Sequence, residues 1–372
     1  MVSDESPPAQ TVDCTHCQTA NPASARFCAH CAELLPLPPG EFFAGRYTIR
    51  ELAGVRGIGR SYRVIDSEWV AAPAPPDAAD APAPPGLILT ELRRNRGWSP
   101  EAQAYYREQF TREVNLLAKL QDLPAVPRLY QDLTERGEDR LYFVTVPPQG
   151  ESLRAALDKR SRSFPPDVVI DWGLRLGELL ARLHDEAPPH VLGDLAPETL
   201  YTDGPGVRVA DLGIIRSVRT DGLPPAREDT GYAAPEYLDG RPEPRSDLFS
   251  LAATLAVLLI NQPPLSPSPD VEALHRINDR IPPWLSHLIA LNLSEAPYDR
   301  YASAEDIIAD LRRQQVTDTT VCRVCGATNR RTEIYCQECS RPLMQTTRLC
   351  EECDHDMPVN ARFCPTCGVQ VS

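Results

Sequence analysis

The spacing of apolar residues changes from strand-like to helix-like along the chain. Short apolar runs bounded by glycine, proline or polar residues occur in the N-terminal part and predict β-strands. These runs cover residues 45–66, 87–92, 127–133 and 141–146. From Ser152 onward, the spacing of the apolar residues is mainly that of helices. The main segments predicted to be helical are 167–184, 247–261, 283–292 and 304–314.

One helix is expected among the strands. Ser99 can cap it and Pro100 can occupy its first turn, so we expect a helix from this point to about Leu120. Strands followed by helices predict an α+β fold, with a small β-rich lobe and a helical lobe. The segments predicted to be irregular are a disordered tail at 1–10, a stiff proline-rich linker at 36–44 and a disordered Ala/Pro-rich insertion at 71–86.

The cysteines repeat in one pattern. All 12 fall in Cys-x-x-Cys pairs, and ten residues separate the two pairs of each proposed unit. Two such turns on a short hairpin can place four thiolates around one metal ion, which predicts three structural zinc sites. The units are expected at residues 11–35, 320–343 and 348–370. Their ligands would be Cys14, Cys17, Cys28 and Cys31; Cys322, Cys325, Cys336 and Cys339; and Cys350, Cys353, Cys364 and Cys367.

Spacing alone leaves a second way to pair these turns. Ten residues also separate Cys339 from Cys350, so the middle pairs could share one metal. An aromatic residue precedes the third cysteine of each proposed unit, whereas Leu349 precedes Cys350, and this difference favours the units 322–339 and 350–367. Disulfides are the alternative chemistry, but they need an oxidising compartment that nothing in the sequence indicates.

The histidines inside the first unit are a smaller alternative. His16 and His30 lie within the Cys-x-x-Cys turns and could replace a ligand, but four thiols already complete the set. Units this small cannot build a sufficient apolar core, so zinc should supply most of their folding free energy. They are similar to the small zinc ribbons of bacterial regulatory proteins.

Between residues 45 and 315, short motifs follow one another in a fixed order. They are Leu-Ala-Gly54-Val-Arg-Gly57-Ile-Gly59, Arg-Glu113-Val, Leu-Gly-Asp194-Leu-Ala-Pro-Glu-Thr199, Asp211-Leu-Gly213, Ala234-Pro-Glu236, Ser246-Asp247-Leu-Phe and Asp299-Arg300-Tyr. In this order they resemble the bacterial Ser/Thr protein kinases, and the resemblance implies a two-lobed protein-kinase fold over 45–315. It places Asp194 at the catalytic base. It assigns nucleotide or magnesium positions to Gly54, Gly57, Gly59, Glu113 and Asp211.

Several positions that handle ATP in the family are changed here. Thr90 stands in place of the lysine that grips the α- and β-phosphates, which leaves Glu113 without its expected partner. Arg56 replaces the second glycine of the phosphate loop. Pro148, at the expected hinge after the gatekeeper Thr145, has no N–H to offer adenine.

The catalytic loop shows the same loss. Ala196 and Thr199 replace a lysine and a magnesium-binding asparagine, and Gly193 replaces the arginine that reads a phosphorylated activation loop. The chain has only two lysines, and neither is expected near the phosphates. Arginine is the remaining candidate for a substitute cation. The candidates are Arg56, Arg60 and Arg63.

Residues that build the domain are retained. The resemblance implies that Glu236 pairs with Arg300 and that Asp247 holds the backbone of the catalytic loop. Fold-building positions are thus kept while phosphate-handling positions are lost. This pattern favours a pseudokinase, a kinase-fold signalling or scaffold protein with zinc-ribbon modules. The alternative is an active but atypical Ser/Thr protein kinase that uses ATP and magnesium.

Net charge and apolar content limit the partners. A formal net charge of -14 and a pI near 5.0 argue against nucleic acid, although a zinc-ribbon nucleic-acid binder stays a third hypothesis. The longest apolar stretch, 248–260, has 13 residues and is too short to span a bilayer. Residues 1–10 lack a signal peptide's apolar core. We therefore expect a soluble, cytoplasmic protein whose partners are other proteins, an active kinase or its substrates, with no membrane contact.

Overall fold

The structure is a computed structural model of the chain, and its described residues form two compact units. One unit lies within residues 1–150 and 201–226, and the other within 151–200 and 227–372. No helix among the described residues is long and apolar enough to cross a bilayer. The described residues are 11–22, 25–68, 86–134, 141–193, 195–214, 231–317, 319–322, 324–330, 333, 335–341, 343, 347–349, 352–353, 356–358 and 366–369.

A six-stranded antiparallel sheet forms the centre of the first unit. Its strands are β3 (Phe42–Phe43), β4 (Tyr47–Arg56), β5 (Gly59–Asp66), β6 (Leu87–Leu92), β7 (Arg128–Asp132) and β8 (Tyr142–Val146). Their order across the sheet is β3-β4-β5-β6-β8-β7. Its apolar face is buried and is built around Tyr47, Ile49, Tyr62 and Val144. Alternate side chains of one strand point to one face, which explains why β4 and β5 read as short alternating runs.

Helix α1 (Pro100–Lys119) follows β6. The Ser99 hydroxyl accepts the N–H of Ala102, and Pro100 occupies the first turn, as the sequence predicted. Phe110, Val114 and Leu117 are buried. In this way α1 carries Glu113, which the sequence assigned to the nucleotide site, into the interior of the unit.

A small hairpin module begins the described chain. Its strands are β1 (Thr11–Asp13) and β2 (Ala20–Pro22), and its core is Cys14, Cys28 and Leu35. Residues 36–44 follow it, and they do not behave as a separate linker. Leu37 is buried in the core of the large sheet, its N–H donates to the Tyr62 hydroxyl at 3.1 Å, and β3 pairs with β4. The high proline content concealed this packing.

The second unit is mainly helical. Helix α5 (Pro244–Ile260) is buried from Arg245 to its end, and α3 (Pro166–His184) packs against α5 and α8 (Ala304–Arg313). The remaining helices are α2 (Leu153–Arg160), α4 (Pro235–Leu238), α6 (Ala273–Ile277) and α7 (Pro283–Asn292), with a 3-10 turn at Pro297–Asp299. Of three further short strands, β9 (Glu151–Ser152) lies in this unit, β10 (Leu200–Thr202) begins at its last residue before position 201, and β11 (Arg208–Val209) lies in the first unit.

Two further hairpins follow α8. They consist of β12 (Thr319–Val321) with β13 (Thr328–Arg330), and of β14 (Thr347–Leu349) with β15 (Asp356–Pro358). Their register repeats that of β1 with β2, because in each hairpin the first residue pairs with the residue eleven positions later. The segments predicted at 1–10 and at 71–85 lie outside the described residues.

Candidate functional site

A cavity of about 570 Å³ lies within the first unit, between the β4–β5 hairpin, β6, α1 and the segment after β8. Four of the residues predicted to bind nucleotide or magnesium line it, namely Gly54, Gly59, Glu113 and Asp211. Gly57 is not among the lining residues. It forms the turn between β4 and β5, and its carbonyl oxygen accepts from the Arg93 guanidinium at 2.8 Å. Thr145 and Pro148 also line the cavity.

Thr90 lies in the middle of β6, where the sequence comparison places a lysine in the family. It is almost fully buried, and its hydroxyl hydrogen-bonds with that of Ser61 at 3.3 Å. Both hydroxyls are neutral, and among the described residues that line the cavity there is no lysine. Thr90 on β6 and Ser61 on β5 therefore present short hydroxyl groups to the cavity, where the family has a long cationic side chain.

Glu113 has a backbone hydrogen-bond donor, although the lysine that pairs with it in the family is absent. The sequence predicted a carboxylate without its partner, but Glu113 accepts the backbone N–H of Leu212 at 3.2 Å. Next to it, the Asp211 carboxylate accepts the N–H of Gly213 at 2.9 Å. A buried carboxylate needs hydrogen bonds to offset its desolvation, and here backbone donors contribute them.

The three arginines proposed as substitute cations occupy different places. Arg56 and Arg63 line the cavity, and Arg63 forms an exposed ion pair with Glu51 at 2.8 Å. Arg60 is fully buried, and its guanidinium lies among Glu91, the Leu34 carbonyl and Thr15. Arg60 is therefore wrong as a candidate for phosphate binding, because its guanidinium is fully buried and both of its Nη groups donate to protein atoms, although its Nε has no partner among the described residues.

Arg60 belongs to a buried polar cluster between the first hairpin module and the large sheet, formed by Glu33, Leu34, Arg60, Glu91 and Arg93 and called the ribbon junction below. Arg60 donates to Glu91 at 3.2 Å and to the Leu34 carbonyl at 2.7 Å, and it lies 3.6 Å from Glu33. Arg93 donates to Glu33 at 2.8 Å.

The tyrosines of the sheet complete this cluster. The hydroxyl of Tyr62 donates to Glu91 at 2.8 Å and that of Tyr142 at 3.2 Å. Sequence reasoning missed the ribbon junction because its partners lie up to 60 residues apart. The available signal was two acidic residues, Glu33 and Glu91, inside apolar runs.

In the second unit, Asp247 organises the loop that resembles the kinase catalytic loop. Its carboxylate accepts the N–H of Leu192 at 3.0 Å and of Gly193 at 2.6 Å, and it hydrogen-bonds with His184 at 2.9 Å. The Thr199 hydroxyl donates to the Ala196 carbonyl at 3.0 Å. The predicted catalytic residue Asp194 lies outside the described residues.

Gly193 has the backbone conformation and the space of a glycine only. Its φ is +74°, and a Cβ built on it would lie 1.8 Å from the Tyr237 ring. Neither the strained φ nor this approach suits an L side chain. The ring of Tyr237 therefore occupies the space that a side chain at this position would need.

A buried ion pair anchors the segment that carries Tyr237. Arg300 donates to both oxygens of Glu236, at 2.8 and 3.0 Å, and also to the carbonyls of Ser294 and Glu295. Burial tends to raise the pKa of Glu236, but hydrogen bonds from Arg300 and Ser246 lower it below its ordinary value. This bidentate pair matches the contact that the kinase resemblance implied.

Two cysteine clusters have the geometry of metal centres. The sulfurs of Cys14, Cys17, Cys28 and Cys31 all lie within 4.8 Å of one another, and so do those of Cys322, Cys325, Cys336 and Cys339. Two Sγ–Sγ pairs in each cluster lie 3.5 to 3.7 Å apart. Four sulfurs at ~2.3 Å from a tetrahedral zinc ion would lie about 3.8 Å apart, so the residues fit zinc.

The surroundings of one sulfur in each cluster, Cys28 and Cys336, favour the thiolate that zinc needs, whereas burial raises the pKa of Cys14 and of Cys31. Cys28 accepts hydrogen bonds from the N–H groups of Cys31 and His30 and from the amide of Asn21, and these bonds lower its pKa to about 6. They outweigh burial, which by itself would raise this pKa. Burial acts against Cys336 too, but the N–H groups of Cys339 and Glu338 and the amide of Asn329 lower its pKa to about 6.

The asparagine contact was not predicted. Asn21 and Asn329 each lie seven residues after the first cysteine of their unit, and this equal spacing was the available signal. In the third unit, Cys350 and Cys364 lie outside the described residues. Its described cysteines, Cys353 and Cys367, are exposed.

Comparison with known proteins agrees with this architecture. The model of the protein kinase domain family matches residues 98–318, and that of the double zinc ribbon matches residues 322–368. Serine/threonine-protein kinase PknL of Mycobacterium tuberculosis is 31% identical over 179 residues, or 44% of either chain. Serine/threonine-protein kinase C of Synechocystis sp. is 28% identical over 282 residues, covering 72% of this chain and 49% of that protein.

The chain spans less than half of the length of these two relatives. A crystal structure of a variant PknI kinase domain from Mycobacterium tuberculosis covers 75% of this chain and 99% of its own, with a TM-score of 0.51 and 22% identity, so it shows a shared fold alone. The predicted α+β protein-kinase fold is confirmed, and of the three predicted zinc ribbons two have complete cysteine clusters among the described residues. Because a family model matches 98–318, more than half of the 372 residues, the chain belongs to the protein kinase domain family and carries a double zinc ribbon.

Proposed function

We propose that this protein is a pseudokinase, a kinase-fold binding protein whose phosphotransfer is absent or severely impaired. One observation carries the proposal. At the place where the family holds its phosphate-gripping lysine, the cavity presents the hydrogen-bonded hydroxyls of Thr90 and Ser61. Glu113, the usual partner of that lysine, instead accepts a backbone N–H. Without a cation at this position, the negative charge of a transferring phosphoryl group is poorly stabilised.

A second candidate function is an atypical Ser/Thr kinase, and the cavity contains the observation that favours it. Arg56 and Arg63 line the cavity, so a guanidinium could take over charge stabilisation. The named relatives are Ser/Thr protein kinases, which supports a protein hydroxyl as the acceptor in this case. Asp194 would act as base and Asp211 as magnesium ligand.

A nucleotide-binding assay distinguishes absent phosphotransfer from impaired phosphotransfer. The zinc-loaded full-length protein would be heated with and without ATP and Mg²⁺ or Mn²⁺, and the proposal expects no rise in melting temperature at millimolar nucleotide. A ligand at 100 times its Kd would stabilise the protein by about 2.7 kcal/mol, which is easily detected. Asp211→Ala is the matched control, because any stabilisation that survives it does not involve the magnesium position.

Catalysis needs its own assay. The proposal expects no transfer of labelled γ-phosphate to the protein itself or to a generic basic substrate. Transfer that Asp194→Asn abolishes would refute the pseudokinase and establish the atypical kinase. Thr90→Lys is a constructive variant, since it returns a cation to the cavity that Glu113 also lines. Nucleotide binding by this variant, with none by the unchanged protein, would show that the missing lysine is the cause.

We propose three structural zinc ions, one in each four-cysteine unit. The geometry of the two described clusters and the double zinc ribbon match support this number. Metal analysis of the purified protein should give about three zinc ions per chain, and a chelator should release them all. A value near two would assign another role to the unit at 348–370.

We further propose that the partners are proteins, including an active kinase or its substrates, and that the protein acts in the cytoplasm. The acidic net charge supports a protein partner, and residues 322–372 contain six arginines against six acidic residues, so they form no basic stripe for nucleic acid. A salt-dependent gel shift by the full-length protein would contradict this.

A further inference from the structure

We propose that the first unit contains an oxyanion site, separate from the 570 Å³ cavity, that binds the phosphoryl group of a phosphate monoester or free phosphate. The site is a pocket of about 230 Å³ where the first hairpin module meets the segment between β6 and α1. Its lining residues are Arg26, Phe27, Leu34, Arg94, Asn95, Arg96 and Gln103. The proposal is independent of the pseudokinase assignment.

Backbone hydrogen bonds bring the arginines together from distant parts of the chain. The N–H of Leu34 donates to the Arg94 carbonyl at 2.8 Å, and the N–H of Arg96 donates to the Ala32 carbonyl at 3.3 Å. On the other side, the N–H of Leu35 donates to the Arg26 carbonyl at 2.9 Å. Main-chain contacts therefore hold the backbone of both walls, from which the exposed side chains of Arg26 and Arg96 extend.

Side chains fix the floor of the pocket. The Asn95 amide donates to the Cys31 carbonyl at 2.9 Å, and the guanidinium of Arg96 lies over the Phe27 ring, 4.0 Å from its centroid. Stacking of this kind restrains the guanidinium plane and leaves its N–H edge for an anion. The pocket thus has an oriented donor group as well as positive charge.

The local charge is opposite to that of the whole chain. Three arginines and no carboxylate line the pocket, whereas the chain has a formal net charge of -14. The buried acid Glu33 accepts from the amide of the lining residue Asn95 at 3.4 Å, but its carboxylate already pairs with Arg93 and lies 3.6 Å from Arg60. Among the described residues, neither Arg26 nor Arg96 forms a salt bridge. This concentration of positive charge would attract an anion.

Charge and size indicate the class of ligand. Guanidinium groups bind carboxylate and phosphate oxygens through paired N–H donors, and several of them around one pocket match a dianion better than a single carboxylate. A volume of about 230 Å³ is the space of roughly eight water molecules at ~30 Å³ each, which suits one phosphoryl group and not a nucleotide.

Binding would be measured by isothermal titration calorimetry on the zinc-loaded full-length protein at constant ionic strength. The probes are inorganic phosphate, a phosphoserine peptide, the same peptide without phosphate, and acetate. We expect saturable binding of phosphate with a millimolar Kd and none of acetate. Tighter binding of the phosphopeptide than of free phosphate would identify a protein-borne phosphoryl group as the source, and equal or weaker binding would identify the free ion.

Charge-removing variants locate the site. Arg26→Gln and Arg96→Gln should each weaken phosphate binding about tenfold, the loss of one charge-assisted hydrogen bond. Arg56→Gln, which removes an exposed arginine from the other cavity, should leave binding unchanged. Circular dichroism and zinc content would verify that each variant is folded, and two separate variants guard against a failure of one.

Two results would overturn the proposal. One is the absence of saturable phosphate binding at ~10 mM, about ten times a millimolar Kd. The other is loss of binding in Arg56→Gln with retention in both Arg26→Gln and Arg96→Gln, which would place the anion in the 570 Å³ cavity.

Discussion

The ribbon junction leads to a sharp prediction for Arg60→Met. This change keeps most of the side-chain volume and removes the charge, so the loss comes from the contacts and not from a cavity. Arg60 and Glu91 both have 0% relative exposure. Without Arg60, the Glu91 carboxylate still accepts from the hydroxyls of Tyr62 and Tyr142, but it has lost the cation that pairs with it. Glu33 keeps only Arg93 as a charged partner in the junction.

Removing one member of a buried ion pair typically costs 3–5 kcal/mol, because the remaining charge stays desolvated. We therefore expect the first unit of Arg60→Met to lose about 4 kcal/mol, a large part of the 5–15 kcal/mol that usually stabilises a domain. Arg63→Met is the matched control. Arg63 lies on the same strand and pairs with Glu51, but both side chains are more than 60% exposed, so its loss should cost less than about 1 kcal/mol.

Native-state hydrogen exchange followed by mass spectrometry is the suitable assay, because peptides from β5 and β6 report the opening of the first unit separately from the second. In Arg60→Met these peptides should exchange at a free energy about 4 kcal/mol lower. Adding Glu91→Gln should restore part of the loss, since the amide still accepts from the tyrosines but needs no cation. A loss below about 1 kcal/mol, or no recovery in the double variant, would refute the ion-pair reasoning.

The remaining predictions concern pH, the second unit and zinc. Arg46 donates to Asp66 at 2.8 and 2.6 Å and lowers its pKa to about 2, so Asp66→Asn should cost about 2 kcal/mol at pH 7. Since the folded pKa is below the unfolded one, this difference should shrink as pH falls from about 5 towards 2 in urea titrations, and a constant difference would contradict it. Arg300→Lys should destabilise the second unit by about 2 kcal/mol in exchange measurements on α5, because lysine cannot reproduce the two-oxygen contact with Glu236; an unchanged α5 would refute this. Chelation of zinc should abolish exchange protection in the β1–β2 and β12–β13 hairpins while α5 keeps it, whereas protected hairpins would show that they fold without metal.

Local signals in the sequence predicted the elements well. Strand 87–92 and helix 283–292 begin and end in the structure where they were predicted, because glycine, proline and polar residues flank them. The segment 36–44 was misjudged for the same reason. Its prolines indicated a linker, but burial of Leu37 in the sheet depends on residues far away in sequence.

The features of the candidate site also differ in whether a local sequence pattern reveals them. Loss of the lysine at Thr90 was visible from a motif, and so were the cysteine clusters. The contact of Glu113 with the Leu212 N–H joins residues 99 positions apart, and no local pattern predicts it. Burial of Arg60 was equally hidden, because its position beside the glycine cluster suggested phosphate binding, whereas the strand turns its side chain towards the ribbon junction.

The first hairpin module differs from the second at the position of Glu33, a residue through which the first module contributes to the ribbon junction. Glu33 and Arg341 are equivalent, since the carbonyl of each accepts the N–H of the third cysteine of its unit at 2.7 Å. Glu33 is buried in the ribbon junction, whereas Arg341 is exposed. The first module is therefore integrated into the kinase fold, and the second lacks the residue that would allow the same contact.

The contact between Gly193 and Tyr237 couples these two positions of the chain. A Cβ at position 193 would lie 1.8 Å from the present position of the tyrosine ring, and the residue would adopt a strained φ of +74°. An arginine at position 193, as found in the family, therefore requires the ring to move or Tyr237 to change. Installing an arginine that reads a phosphorylated loop thus depends on two coupled positions and not on one.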